Sequence, residues 1–254
     1  MKHEMITIKS TKQIEYMRHA GSIVFETHKR LEEAIKPGVT TKELDIIAEK
    51  YILSQGATPS FKGYNGFPAN ICTSVNEQVV HGIPSLKALK DGDIISIDIG
   101  VNYKGYHGDA ARTHPVGTIS EQAKKLITIT RESFYEGMRY AREGNRLSDI
   151  SAAIQQYVEK QRYSVVRDLV GHGIGSQMHE EPQIPNYGKA GRGPRLRAGM
   201  TLAIEPMINM GKYQVKVLPD EWTVVTTDGS LSAHYENTIA ITHNEPALLT
   251  QVTE

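Results

Sequence analysis

Only one cysteine, Cys72, occurs in the 254 residues, which excludes an internal disulfide and fits a reducing compartment. No run of about 18 apolar residues occurs, so no membrane-spanning helix is expected. The first ten residues, MKHEMITIKS, lack the apolar centre of a secretory signal. These absences lead us to expect a cytoplasmic protein without a membrane partner. Charge of one sign is missing too. Twenty-nine basic residues against 29 acidic ones give a formal net charge of +0, so nothing in the bulk charge points to nucleic acid. There is no low-complexity tract. What remains is a 39% hydrophobic content, enough to bury a full core. Length alone allows one large domain or two small ones.

Periodicity gives the elements in order. Ser10 and Gln13 form a capping-box pattern before a helical stripe of Ile14, Met17, Gly21, Val24, His28 and Leu31, closed by Pro37-Gly38. Thr40 and Glu43 repeat the pattern before a second helix that ends at Gly56. Residues 57–92 read as loops and short strands. Helices are then expected from Ser120 to about Arg142 and from Ser148 to about Gln161. Strands follow at 163–169, 200–209, 222–227 and 231–242, the last two joined as a hairpin through Asp228-Gly229.

The plan therefore runs twice. GVTTKELDIIAEKYI (38–52) lies on GNRLSDISAAIQQYV (144–158), and LKDGDIISID (89–98) lies on LRAGMTLAIE (196–205), which sets Asp98 on Glu205. HGIP at 81–84 also resembles HGIG at 172–175. Two α-α-β-β halves, about 10–115 and 119–245, predict one α+β domain over 1–254, pseudo-symmetric, with its site between the halves.

The stretch DIISIDIGVNYKGYHGDAARTH (93–114) reads as a hairpin. Centring its turn on Tyr103 and Lys104 sets Asp98 directly opposite Asp109, where like charges destabilise. Asp98 also lies among Ile94, Ile95, Ile97 and Ile99, where a bare carboxylate is costly. Such a pair needs a shared proton or a cation. Glu205 ends an apolar strand, Glu236 sits in SAHYENTIAIT on the face of His234 and Thr238, and His172 lies between two glycines. Four carboxylates and one imidazole can hold two divalent cations and activate a water between them.

NEQVVHGIP (76–84), DIISIDIGVNYKGYHGDAART (93–113), GHGIGSQMHEEP (171–182), AGMTLAIEPM (198–207) and EWTVVTTDGSLSAHYENTIAIT (221–242) together resemble type I methionine aminopeptidases of metallopeptidase family M24. The likeness runs from about residue 8 to 245. It implies the pita-bread fold and removal of the N-terminal methionine from nascent chains whose second residue is small. It also implies two divalent metal ions (Co, Mn, Fe or Zn) held by Asp98, Asp109, His172, Glu205 and Glu236. Asp109 and Glu236 would bridge them, Asp98 would serve one, and His172 and Glu205 the other. Glu205 would also shuttle a proton, His179 would steady the scissile carbonyl, and His81 would contact the scissile amide nitrogen. Tyr64, Phe67, Cys72 and Trp222 would wall the methionine slot, with Met178 near its mouth. Phe61, Asn65 and Phe67, within FKGYNGFP, and Met178 depart from the family pattern and leave the slot's shape open.

No Cys/His-rich extension is expected ahead of this region, and the spacings from His172 to Glu205 to Glu236 leave no room for a large helical insertion. A monomer is expected. The basic stretch GKAGRGPRLR (188–197) reads as a solvated loop, with ribosome docking a secondary thought. Two rivals share the fold: a metal-free peptide- or RNA-binding protein, and a relative that hydrolyses another small substrate. Retention of all five ligand types argues against the first. The residues around the pocket argue against the second, as does the expectation that no prolidase-type N-terminal domain is present.

Overall fold

Capping boxes start the first two helices as expected. Ser10 and Thr40 hydroxyls accept from the N–H of Gln13 and Glu43, whose side chains accept from the cap N–H groups at 2.8 and 2.7 Å. They open α1 (Thr11–Ala34) and α2 (Thr41–Ser54) in a computed structural model that describes residues 5–251. Helix α1 buries Met17, Gly21, Val24, His28 and Leu31 of the stripe read from periodicity, with Ile14 half-buried at its start. Helices α3 (Glu121–Met138) and α4 (Leu147–Lys160) belong to the second half. Helix α3 stops short of the expected Arg142, because Tyr140 and Ala141 bond back to Gly137 and Met138 in a tighter turn.

The repeat is physical. Both α2 and α4 are 14 residues long, and Asp149 accepts from the Arg146 N–H at 2.8 Å as Glu43 does at Thr40. Isolated bridges join Thr40 to Ala88 and Arg146 to Arg195, the same positions of the two halves. The turn glycines ahead of the two central strands, Gly92 and Gly199, hold φ of +91° and +89°. Short strands pair identically: Thr58 with Asn102 in the first half, Ser164 with Asn209 in the second.

In the first half Ile94–Tyr103 pairs with Tyr106–Pro115 and Cys72–Val75. In the second, Thr201–Ile204 and Met207–Asn209 pair with Asn237–Ala240 and Ser232–His234 in one continuous register. The return strands of the two halves meet. Asp109 N–H donates to Thr238 Oγ1, which donates back to the Asp109 carbonyl, both at 2.9 Å. His234 and Thr113 repeat that exchange at 2.9 Å. These reciprocal bonds mark the pseudo-two-fold axis. Each half has its own core, one around Leu31, Leu44 and Ile97, the other around Leu126, Ile150 and Leu202. Burying each such side chain is worth about 1.5–3 kcal/mol, so two cores brace the seam from both sides.

Two expectations fail here. Val224–Thr226 does not form a hairpin with the strand after Asp228-Gly229; it pairs with Val215–Val217 and Gln78–Val80 in a separate sheet. Asp228 accepts from Lys212 and Ser230 N–H groups, which ties the turn to the neighbouring loop. HGIP and HGIG are not equivalent either. His172 pairs with Ala203 where Ser74 pairs with Ser96, so His172 stands in the place of Ser74 and not of His81.

Candidate metal centre

The hairpin turn is Lys104-Gly105, both at positive φ (51° and 82°), as a type I′ turn requires. The Asn102 carboxamide accepts from Gly105 N–H at 3.1 Å. This moves the register from the expected one. Asp98 faces Ala111, and Asp109 faces Gly100. The two acids share one sheet face on a diagonal. Glu205 and Glu236 do face each other, since the flanking pairs are Ile204–Asn237 and Met207–His234. There the ladder is interrupted.

His172 is brought in by Gly171–Gly173, and its Nδ1 bonds the Gly173 carbonyl at 2.8 Å, leaving Nε2 to face the acids. Nε2 lies 3.9 Å from Asp109 Oδ2 and 3.7 Å from Glu205 Oε1. Atoms of Asp109, His172 and Glu236 all lie within 4.8 Å of one another. On the far side of Glu205, His234 Nε2 is 3.7 Å from Oε2 and 4.0 Å from Glu236 Oε2. His234 is the residue that sequence reasoning did not bring into the site. Carrying the repeat through the return strands would have set it on Asp109.

Burial dominates the electrostatics. It pushes Asp98 up to about 7, partly opposed by hydrogen bonds with Asp109 and Glu236. Asp109, Glu205 and Glu236 are raised well above the carboxylate range, first by burial and then by their acidic neighbours. Burial also lowers His172 and His234 to about 3 and His81 to about 4, so the imidazoles are neutral. Asp98 Oδ1, Asp109 Oδ1 and Glu236 Oε1 are buried without a hydrogen-bond partner among the described residues. Orphaned acidic oxygens beside a neutral imidazole lone pair form a donor set that fits a hard or borderline divalent cation.

These groups line one side of a cavity of about 230 Å³. All eleven residues expected at the site border it, from Tyr64, Phe67, Cys72 and His81 through Asp98, Asp109, His172 and His179 to Glu205, Trp222 and Glu236. Phe61 and Asn65 border it too, and Val80, Leu169, Val170 and Met207 complete an apolar wall that sequence reasoning missed. Those four looked like ordinary strand residues. Met178 is not at the mouth: it is buried against the core that includes Phe61, Phe67 and Cys72. Tyr64 OH and His179 Nδ1 are 2.7 Å apart, and the His172 and His179 rings lie 4.2 Å apart at their centroids. His81 holds a left-handed backbone (φ 59°), a strained conformation of the kind that persists where the surroundings over-determine it.

Comparison with known proteins agrees with this geometry. The profile of metallopeptidase family M24 matches residues 15–243. The methionine aminopeptidase of Clostridium perfringens is 61% identical over 248 residues, covering 98% of this chain and 100% of that one. Methionine aminopeptidase 1 of Bacillus subtilis is 59% identical with the same coverage. The crystal structure of methionine aminopeptidase from Rickettsia prowazekii matches with a TM-score of 0.96 at 44% identity, over 97% of this chain and 100% of that one. The chain belongs to metallopeptidase family M24 and has its pita-bread fold. Within that family it falls among the methionine aminopeptidases, as a metallo-aminopeptidase that uses divalent metal. No helix among the described residues is long and apolar enough to cross a membrane.

Proposed function

We propose that this chain, acting as one catalytic domain, removes the N-terminal methionine from nascent polypeptides in the cytoplasm when the second residue is small. Two divalent cations, of Co, Mn, Fe or Zn, would be held by Asp98, Asp109, His172, Glu205 and Glu236, with Asp109 and Glu236 shared. When bound, the cations polarise the scissile carbonyl and make water acidic enough to react near neutral pH. The remaining chemistry belongs to side chains. Glu205 takes a proton and returns it to the leaving amine. With the Tyr64 hydroxyl, 2.7 Å away, donating to His179 Nδ1, the imidazole proton would sit on Nε2, where it would hydrogen-bond the carbonyl oxygen as charge develops. His81 meets the scissile amide nitrogen.

The methionine side chain would enter the slot between Tyr64, Phe67, Cys72 and Trp222, where Phe67 and Trp222 pack edge-on at 5.1 Å. Branching at Cγ makes leucine a poor fit, while norleucine has nearly the methionine shape. The protein would work as a monomer, and residues 188–197 could meet ribosomal RNA electrostatically.

The observation that carries this reading is the sharing of one cavity by the acidic donor set and an apolar slot. It is tested by following release of free methionine from Met-Ala-Ser by metal-reconstituted protein beside a chelated control. Met-Ala-Ser should be processed, and Leu-Ala-Ser and Met-Lys-Ser should resist. Equal rates for all three would replace the proposal with a broad aminopeptidase.

A further inference from the structure

His234 is 2% exposed, and its Nε2 has no hydrogen-bond partner among the described residues. A buried polar atom left without a partner costs stability, so its position calls for a reason. Its surroundings supply one. Nε2 lies 3.7 Å from Glu205 Oε2 and 4.0 Å from Glu236 Oε2, just beyond hydrogen-bond range of both. Glu205 is thus bracketed by two imidazoles, with His172 Nε2 at 3.7 Å from its other oxygen.

The two rings are held differently. The Gly173 carbonyl fixes the His172 proton on Nδ1, so His172 turns a lone pair inward. His234 has no such bond among the described residues, and its Nε2 is free to carry the proton and act as a donor. Its place in the fold is also specific. Through the reciprocal threonine bonds, His234 occupies in the second half the position that Asp109 occupies in the first. One half sends a carboxylate into the seam there, and the other sends an imidazole.

We propose that His234 is a positioning residue that donates its Nε2–H to the outward oxygens of Glu205 and Glu236, holding these carboxylates in the orientation that binds metal. The inference rests on reading Glu205 and Glu236 as ligands. Partners in this position fix ligand orientation and tune basicity, and their loss typically weakens metal binding about 10- to 100-fold.

The test is calorimetric titration of Mn²⁺ into metal-free protein for four forms: the parent, Glu236→Gln, His234→Leu and His234→Gln. His234→Leu should weaken Mn²⁺ binding about 10- to 100-fold, whereas His234→Gln, which keeps a side-chain donor, should stay within about threefold of the parent. Thermal melting of the metal-free forms separates positioning from a merely structural role. His234→Leu should melt no lower than the parent, because it removes an unpartnered buried donor. Should the leucine variant not fold, His234→Ala carries the same expectations. Unchanged Mn²⁺ affinity in His234→Leu, or equal losses in the leucine and glutamine variants, would overturn the inference. If Glu236→Gln also bound Mn²⁺ like the parent, the metal-centre reading itself would fall, a result distinct from failure at His234 alone.

Discussion

The two halves share a scaffold and differ in how they carry their acids. In the first half the hairpin ladder runs unbroken from Ile94 to Pro115, with Asp98 and Asp109 set two positions out of register. In the second half Glu205 and Glu236 fall opposite each other, and the ladder breaks into Thr201–Ile204 and Met207–Asn209 on one side and Ser232–His234 and Asn237–Ala240 on the other. The break falls at Pro206, which has no N–H: Tyr235 N–H donates to the Pro206 carbonyl at 3.2 Å, but the return bond of that pair cannot form, whereas the first half has no proline between Ile94 and Tyr103. The longer glutamates reach the seam from the broken strand, and the shorter aspartates from the intact one. The halves also differ in imidazoles: the second brings His172 and His234, where the first has Ser74 and Asp109. A symmetric frame thus carries an asymmetric donor set.

The largest effect is expected on the seam. Asp109→Asn should reduce methionine release to background and lower metal content, because a shared carboxylate loses its charge toward both cations. Asp98→Asn should be severe yet leave one metal bound, since Asp98 serves one side only. Equal metal content in parent and Asp109→Asn, measured by elemental analysis, would break the shared-ligand assignment.

A smaller loss is expected beyond the donor set. His179→Ala should lower turnover by about two to four decades, the range for removing a charge-stabilising or proton-handling group, with metal content unchanged. Metal loss in that variant would move His179 among the ligands.

The mildest effect concerns pH. The folded metal-free protein holds Asp98 at about 7, above its unfolded value, so between about pH 4 and 7 the folded state binds more protons than the unfolded one. The contribution of Asp98 to metal-free stability is therefore fully present below about pH 4 and is lost as pH rises through 7. Asp109, Glu205 and Glu236 are raised in the same direction and add to the fall. Metal should offset it by displacing those protons, so the gap between metal-loaded and metal-free melting temperatures should widen with pH. A gap that stays constant or narrows would show that the acids are not the groups metal engages.

Much of this was legible in the sequence, for particular reasons. The capping boxes at Ser10 and Thr40 and the offset that sets Asp98 on Glu205 are local or repeated patterns, and both reappear in the fold. Register was not legible. Placing the turn on Tyr103-Lys104 ignored the preference of type I′ turns for a glycine at the second central position, and Lys104-Gly105 satisfies it. One residue of displacement in the turn converted a facing pair of aspartates into a diagonal one. The Asp228-Gly229 hairpin failed because the backbone N–H groups of Gly211 and Lys212 donate to the Ser230 and Asp228 side chains and claim that turn, a tertiary effect without a local signature. The apolar wall of Val80, Leu169, Val170 and Met207 was invisible because nothing separates a slot-lining valine from a core valine until the chain is folded.

The central claim is that the seam between the halves holds two cations, one leaning on each half. Crystals of the protein soaked in Mn²⁺ and measured at the manganese absorption edge test it most directly. The account predicts two anomalous peaks, one beside Asp98 and the other beside His172 and Glu205, with Asp109 and Glu236 between them. A single peak at full occupancy, or peaks away from these five side chains, would contradict it.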